Sequence, residues 1–115
     1  MNRVVLIGNL ARDPEGYCTK NGVSCCRFTV AVSRRHTAAD GQRQADFISV
    51  VAWRTTADNC LRYLSKGRKV AIDGRIETRQ YDDQDGQRHY VTEVVAEAVE
   101  FLSARPDYQG EDENE

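Results

Sequence analysis

What this 115-residue chain lacks narrows its function before any element is placed. The N-terminal stretch "MNRVVLIGNL" has only four strongly apolar residues together before Gly8 and Asn9. That is too few for a signal-peptide core and far too few for a membrane span, so a cytoplasmic protein is expected. Cysteines number four (Cys18, Cys25, Cys26 and Cys60), with no Cys-x-x-Cys pair and no His at zinc-finger spacing. Cys25 and Cys26 sit inside an apolar alternation, where reduced thiols behave as small buried hydrophobes. Catalytic signatures are missing too: there is no phosphate-cradling Gly-rich loop, no His-Glu-x-x-His and no Ser, His, Asp set in a recognisable context. "YDDQDG" resembles part of a calcium loop, but register on Gly86 puts Tyr81 at the first ligand and Thr92 at the last, where Asp and Glu are required. The expectation is a protein that is not an enzyme and takes no metal or cofactor.

A strong charge of one sign is also absent, although the overall −2 hides two regions. Residues 1–102 carry fifteen Lys and Arg against thirteen Asp and Glu, net +2, and residues 103–115 carry one Arg against five acids, net −4. The first is the size of one domain with a modest core. The second, "SARPDYQGEDENE", has too little apolar surface to fold and reads as a short acidic disordered tail.

What is present is alternation. A first strand, "RVVLIG", ends at "NLARDPEG", where Pro14 and Gly16 break regular structure. Asn21-Gly22 marks a tight turn into a second strand, with Cys26, Phe28, Val30 and Val32 on its core face and Cys25, Arg27, Thr29, Ala31 and Ser33 on the other. "RHTAADGQRQ" reads as a long hairpin loop, and "DFISVVAWR" as the third strand. Ala57, Cys60, Leu61 and Leu64 then repeat at helical spacing, with Thr56 as the expected cap and Gly67 at the left-handed end position. A fourth strand puts Val70, Ile72, Gly74, Ile76 and Thr78 inward and Asp73, Arg75, Glu77, Arg79 and Tyr81 outward, and "HYVTEVVAEAVEFL" returns as the fifth. Strand, strand, strand, helix, strand, strand fits an all-β, five-stranded OB-fold barrel with one short helix between strands 3 and 4, although periodicity alone leaves another small β-barrel open.

The third strand poses the functional question. Its faces, Ile48, Val50 and Ala52 against Phe47, Val51 and Trp53, are both apolar, and parity alone leaves open which is core. If the other strands already fill the interior, Ile48, Val50 and Ala52 complete it, and Phe47, Val51 and Trp53 point outward. Arg54 follows directly, and Arg75, Arg79 and Tyr81 share the outer side of the fourth strand. Rings set among guanidinium groups on an open β surface suit single-stranded nucleic acid, because bases stack on rings whatever their identity while cations hold phosphates.

"NRVVLIGNLARDPE", "FISVVAWR" and "YLSKGRKVAIDGRIETRQYDDQDGQRHYVTEV" together resemble the bacterial single-stranded DNA-binding protein family across about residues 1–102. The resemblance implies an OB fold assembled as a homotetramer that wraps single-stranded DNA without sequence preference in replication, recombination and repair. It places base stacking on Phe47, Trp53, Tyr81 and, in the loop between the second and third strands, His36, which departs from the large aromatic usual there. Arg3, Arg34, Arg35, Arg54, Lys66, Arg75, Arg79 and Arg88 are the matching candidates for phosphate contact. The chain stops at "GEDENE" without the terminal Pro-Phe by which family members dock replication and recombination proteins, as expected of a shortened paralogue used in DNA uptake or carried on a mobile element, or equally of a longer member cut short. Two rivals remain at this stage: an OB-fold RNA-binding module, and a replication-restart barrel whose aromatic face meets a protein.

Overall fold

The computed structural model describes residues 1–37, 41 and 43–102, with seven elements. They are β1 (Val4–Leu10), β2 (Glu15–Cys18), β3 (Ser24–Thr37), β4 (Arg43–Trp53), α1 (Arg54–Tyr63), β5 (Lys69–Asp82) and β6 (Arg88–Phe101). Alternation sets the interior as the period-2 pattern requires. Cys26, Phe28 and Val30 of β3 face Ala52, Val50 and Ile48 of β4 in register, and Val70 and Ile72 of β5 join them. The two-sided third strand of the sequence, β4, therefore turns Val50 and Ala52 into the core and Phe47 and Trp53 out of it.

The sheet order is β1-β5-β6-β4-β3-β2, and a further pairing of Asn9 and Leu10 with Ala31 and Val30 brings β1 back onto β3. That contact closes a five-stranded barrel of OB type and leaves β2 as an extra strand along β3. Closure leaves few exposed edges, which is how strands with a single apolar face form a stable small domain. Helix α1 plugs one end with Ala57 and Cys60, and Leu64 beyond it is buried as well. Burial pushes the Cys26 thiol up to about 11 and the Cys60 thiol to about 12, so both stay protonated and unreactive at neutral pH.

Several sequence expectations require correction. Strand β2 lies where Pro14 and Gly16 suggest irregular chain; all four of its residues are exposed, so no apolar alternation announces it, and pairing to β3 alone makes it a strand. Gly16 fits because a Cβ there would meet the Leu61 side chain of α1. The expected Thr56 cap is not used: α1 starts at Arg54, its N-cap is Trp53, and no side chain bonds the free N–H groups. Strand β3 runs on to Thr37, so the backbone of His36 is strand and not loop. Ile76 and Thr78, expected inside, are exposed because β5 and β6 continue past the closed barrel as a two-stranded arm. Val51, expected outward, does lie on the outer face but is buried with Cys25 and Val95 in a second small apolar seam. The Asn21-Gly22 turn forms as read, closed by Gly22 N–H donating to the Thr19 carbonyl at 2.9 Å. The tail, residues 103–115, lies outside the described residues.

Candidate nucleic-acid interface

Register places a single outer face across four strands. Directly opposed residues of paired strands share a side. Cys25, Arg27, Thr29 and Ala31 of β3 therefore lie beside Trp53, Val51, Ser49 and Phe47 of β4. Strand β4 then pairs in parallel with β6, Val51 beside Val95, and Val95 lies opposite Arg75 of β5. Glu93, Val91 and His89 follow on β6, and Glu77, Arg79 and Tyr81 on β5. Phe47 is 67% exposed, Trp53 37% and Tyr81 48%. Phe47 and Trp53 are six residues apart on β4, about 20 Å at a strand's rise, so they are separate platforms and not a ring pair.

Each ring is held differently. Trp53 is the last residue of β4 and caps α1, and Arg54 after it has φ +57, so the chain reverses with no intervening loop. Phe47 stands at the rim of an apolar cavity lined by Val4, Leu6, Ile48, Ile76 and Val94, where the barrel opens. Tyr81 stacks on His89 with centroids 5.1 Å apart and planes at 16°, and the Arg79 guanidinium lies 6.0 Å from its centroid. The His89 Nε2 is 2.6 Å from Asp83 Oδ2, an interaction that, with backbone N–H groups of the turn, holds the Asp83 carboxyl below its usual range. Asp83 Oδ1 also accepts from the N–H groups of Asp85 and Gln87, so the turn carrying Tyr81 is tied through one carboxylate.

The cations named from sequence divide into three groups. Arg3, Arg34, Arg75 and Arg88 are engaged by exposed carboxylates: Asp73 at 2.8 Å, Asp46 at 2.8 Å, Glu77 and Glu97 at 2.8 and 2.7 Å, and Asp82 at 3.3 Å. Arg34 shares parity with Val32 and Arg88 with Asp82, so neither lies on the face of Phe47 and Tyr81. Bonds from Arg3 and Arg34 hold Asp73 and Asp46 below their usual carboxylate range. Solvent screens exposed pairs of this kind, so a phosphate can displace the carboxylate at small cost. Arg35, Arg54 and Lys66 are exposed and make no ion pair with another described residue, although the Lys66 backbone N–H donates to Asp13. Arg79 reaches Glu93 and belongs to the face itself. The His36 side chain lies outside what the structure describes.

Three residues of this face were not singled out in the sequence. Arg27 shares the parity of Ala31 and so was legible as outward, but nothing in its surroundings marked it. It donates to the Tyr17 hydroxyl at 2.9 Å and to Glu93. Glu93 and His89 are ordinary alternating positions of β6, distinguished only by what the register sets beside them.

This geometry meets a consistent set of relatives. The profile of the Single-strand binding protein family matches residues 1–102. The single-stranded DNA-binding protein of Halalkalibacterium halodurans is 52% identical over 105 residues, covering 91% of this chain and 62% of that protein. That of Bacillus cereus is 51% identical over 105 residues, with the same coverages of 91% and 62%. Single-stranded DNA-binding protein 2 of Listeria innocua is 49% identical over 114 residues, 99% of this chain and 72% of its own length. The chain thus spans about three-fifths of the length of the first two. A barrel closed by β1, a short helix between its third and fourth strands, and a match over nearly all the described residues place this chain in the single-strand binding protein family.

Proposed function

We propose that this chain binds single-stranded DNA without sequence preference, by stacking bases on Phe47, Trp53 and Tyr81 and holding phosphates with arginines, and that it acts by binding and not by catalysis. One observation carries the reading: three exposed rings, two from β4 and one from β5, share one outer face with Arg27 and Arg79. Stacking is indifferent to base identity, which makes the binding general, and the low net charge of the folded part assigns stacking a large share of the affinity. Arg35, Arg54 and Lys66 add phosphate contacts around the rim, and His36 is kept as a further stacking candidate.

The same reading takes the working form to be a homotetramer in the cytoplasm, protecting DNA in replication, recombination or repair, with the mobile-element or uptake role as a variant. What supports self-association is an apolar outer patch on β1 and β5, where Val5 and Ile7 are 63% and 54% exposed beside Ala71 and Ala98. Among the described residues, no helix is long and apolar enough to cross a membrane.

The test uses the one tryptophan. Poly(dT) is expected to quench Trp53 emission strongly, at about 4–16 nucleotides per OB fold. Phe47→Ala and Tyr81→Ala are each expected to weaken binding by about 1–3 kcal/mol, the range known for single-strand-binding OB folds. Unchanged emission at low salt would reject the reading in favour of a protein-binding barrel, and preference for structured RNA would favour the RNA module.

A further inference from the structure

Glu93 is an anomaly on a surface read as receiving a polyanion. It is 7% exposed, whereas Glu77 and Glu97 on the same face are half exposed or more. A buried carboxylate is costly unless cations and hydrogen bonds compensate it, and Glu93 has two. Arg27 Nη1 of β3 donates to its Oε2, and Arg79 Nε of β5 lies 3.4 Å from its Oε1. Strand β6 lies between β4 and β5, so Arg27 must reach across β4 to arrive there, while Arg79 comes from the adjacent strand. One carboxylate thus gathers two guanidinium groups from opposite sides onto the middle of the face between the three rings.

We propose that Glu93 is the positioning residue of the interface, and that Arg27, held by it, is a phosphate-binding residue for single-stranded DNA. The inference rests on the DNA-binding reading above. The trio carries a net charge of +1, with the negative charge beneath and the cations outward. Arg27 is further fixed by its Nε bond to the Tyr17 hydroxyl, and its guanidinium carbon lies 6.0 Å from that ring's centroid. These bonds use Nε and Nη1, and a guanidinium has five N–H donors, so its outer edge remains suited to a bidentate phosphate contact. Beside it lies a groove whose lining mixes Arg12, Thr29 and Ser49 with the carboxylates Asp13 and Glu15, so a sugar-phosphate chain would follow its Arg27, Thr29 and Ser49 side. Pre-fixing both side chains removes the rotamer entropy that a phosphate would otherwise have to overcome.

The sign of one effect tests this. Glu93→Gln removes a negative charge, so electrostatics alone would tighten DNA binding. If Glu93 positions the arginines, poly(dT) binding instead weakens by about tenfold, the scale of one lost charge-assisted contact. Arg27→Gln should also reduce the slope of log affinity against log salt by about 0.7, one phosphate contact on a single strand. Arg27→Lys, which keeps the charge without the fork, should restore that slope but not the full affinity. Circular dichroism checks each fold, and if Glu93→Gln does not fold, the two Arg27 variants decide. Equal or tighter binding by folded Glu93→Gln, or an unchanged slope in Arg27→Gln, overturns the proposal. Wild-type protein that binds poly(dT) in that same series keeps the DNA-binding reading intact, whereas its failure to bind sinks both.

Discussion

Arg54 shows what the position of a ring costs at the level of one residue. Its φ of +57 lies in the left-handed region, which an L-residue other than Gly occupies at a cost of about 1–2 kcal/mol. The strain follows from running β4 into α1 without a linker, which leaves Trp53 at the corner as both strand end and helix cap. Arg54→Gly is therefore expected to raise unfolding stability by about 1 kcal/mol in urea titration, because relief of strain outweighs the added freedom of the unfolded chain. The same variant should bind poly(dT) more weakly through loss of a cation next to Trp53. An unchanged urea midpoint would mean that the corner is not strained. At this scale the exposed rings were nameable from sequence, but their side of the sheet was not, because Phe47 and Trp53 are as apolar as the residues that fill the barrel.

At the scale of elements, β5 and β6 do two jobs, in the barrel and in the arm, and a bulge at Gly74 interrupts their pairing within the barrel. Their register shifts between Asp73 and Gly74, which pair with Ala98 and Ala96, so Glu97 is the extra residue of a bulge. A Cβ at Gly74 would collide with the Val95 backbone carbonyl. Gly74→Ala is expected to destabilise the fold by about 1–3 kcal/mol, read as a lower thermal midpoint by circular dichroism. Past Val94 and Val95, which β4 still pairs, the strands leave the barrel as the arm that carries Tyr81 and His89. At the arm's root Asn2 brackets Ile76, donating to its carbonyl at 2.8 Å and accepting its N–H at 2.9 Å. Alternation in "KVAIDGRIETRQY" continues through this exit, which is why Ile76 read as core. Period 2 reports which side a residue faces, and whether anything covers that side depends on the neighbouring strand. Strand β2 is the converse case, a strand with exposed residues and no pattern, made only by pairing to β3.

Across the whole molecule, the outer surface separates into an aromatic and cationic region over β3, β4, β6 and the β5 arm, and an apolar region over β1 and the start of β5. The second exposes Val5 and Ile7 beside Ala71 and Ala98, and it borders the Arg3–Asp73 pair. Burial against a second copy would remove this apolar area from water, which is the main driving force for association. Val5→Glu is accordingly expected to shift sedimentation toward a smaller species while the barrel stays folded. It should also weaken poly(dT) binding, because fewer linked surfaces lower the effective concentration along one strand. Wild-type protein that sediments as a monomer would assign this face to another occupant.

The amino-acid sequence by itself determined the barrel class, the core set from Cys26 to Ile72, the short helix, and the identities of Phe47, Trp53 and Tyr81, because alternation, turn residues and side-chain chemistry are local properties of a chain. The tertiary structure alone decided that Phe47 and Trp53 face outward, that Arg27 and Arg79 converge on a buried Glu93, and that β2 exists. Each of these depends on strand register between segments far apart in sequence, and register is settled only when the closing barrel chooses which residues stand side by side.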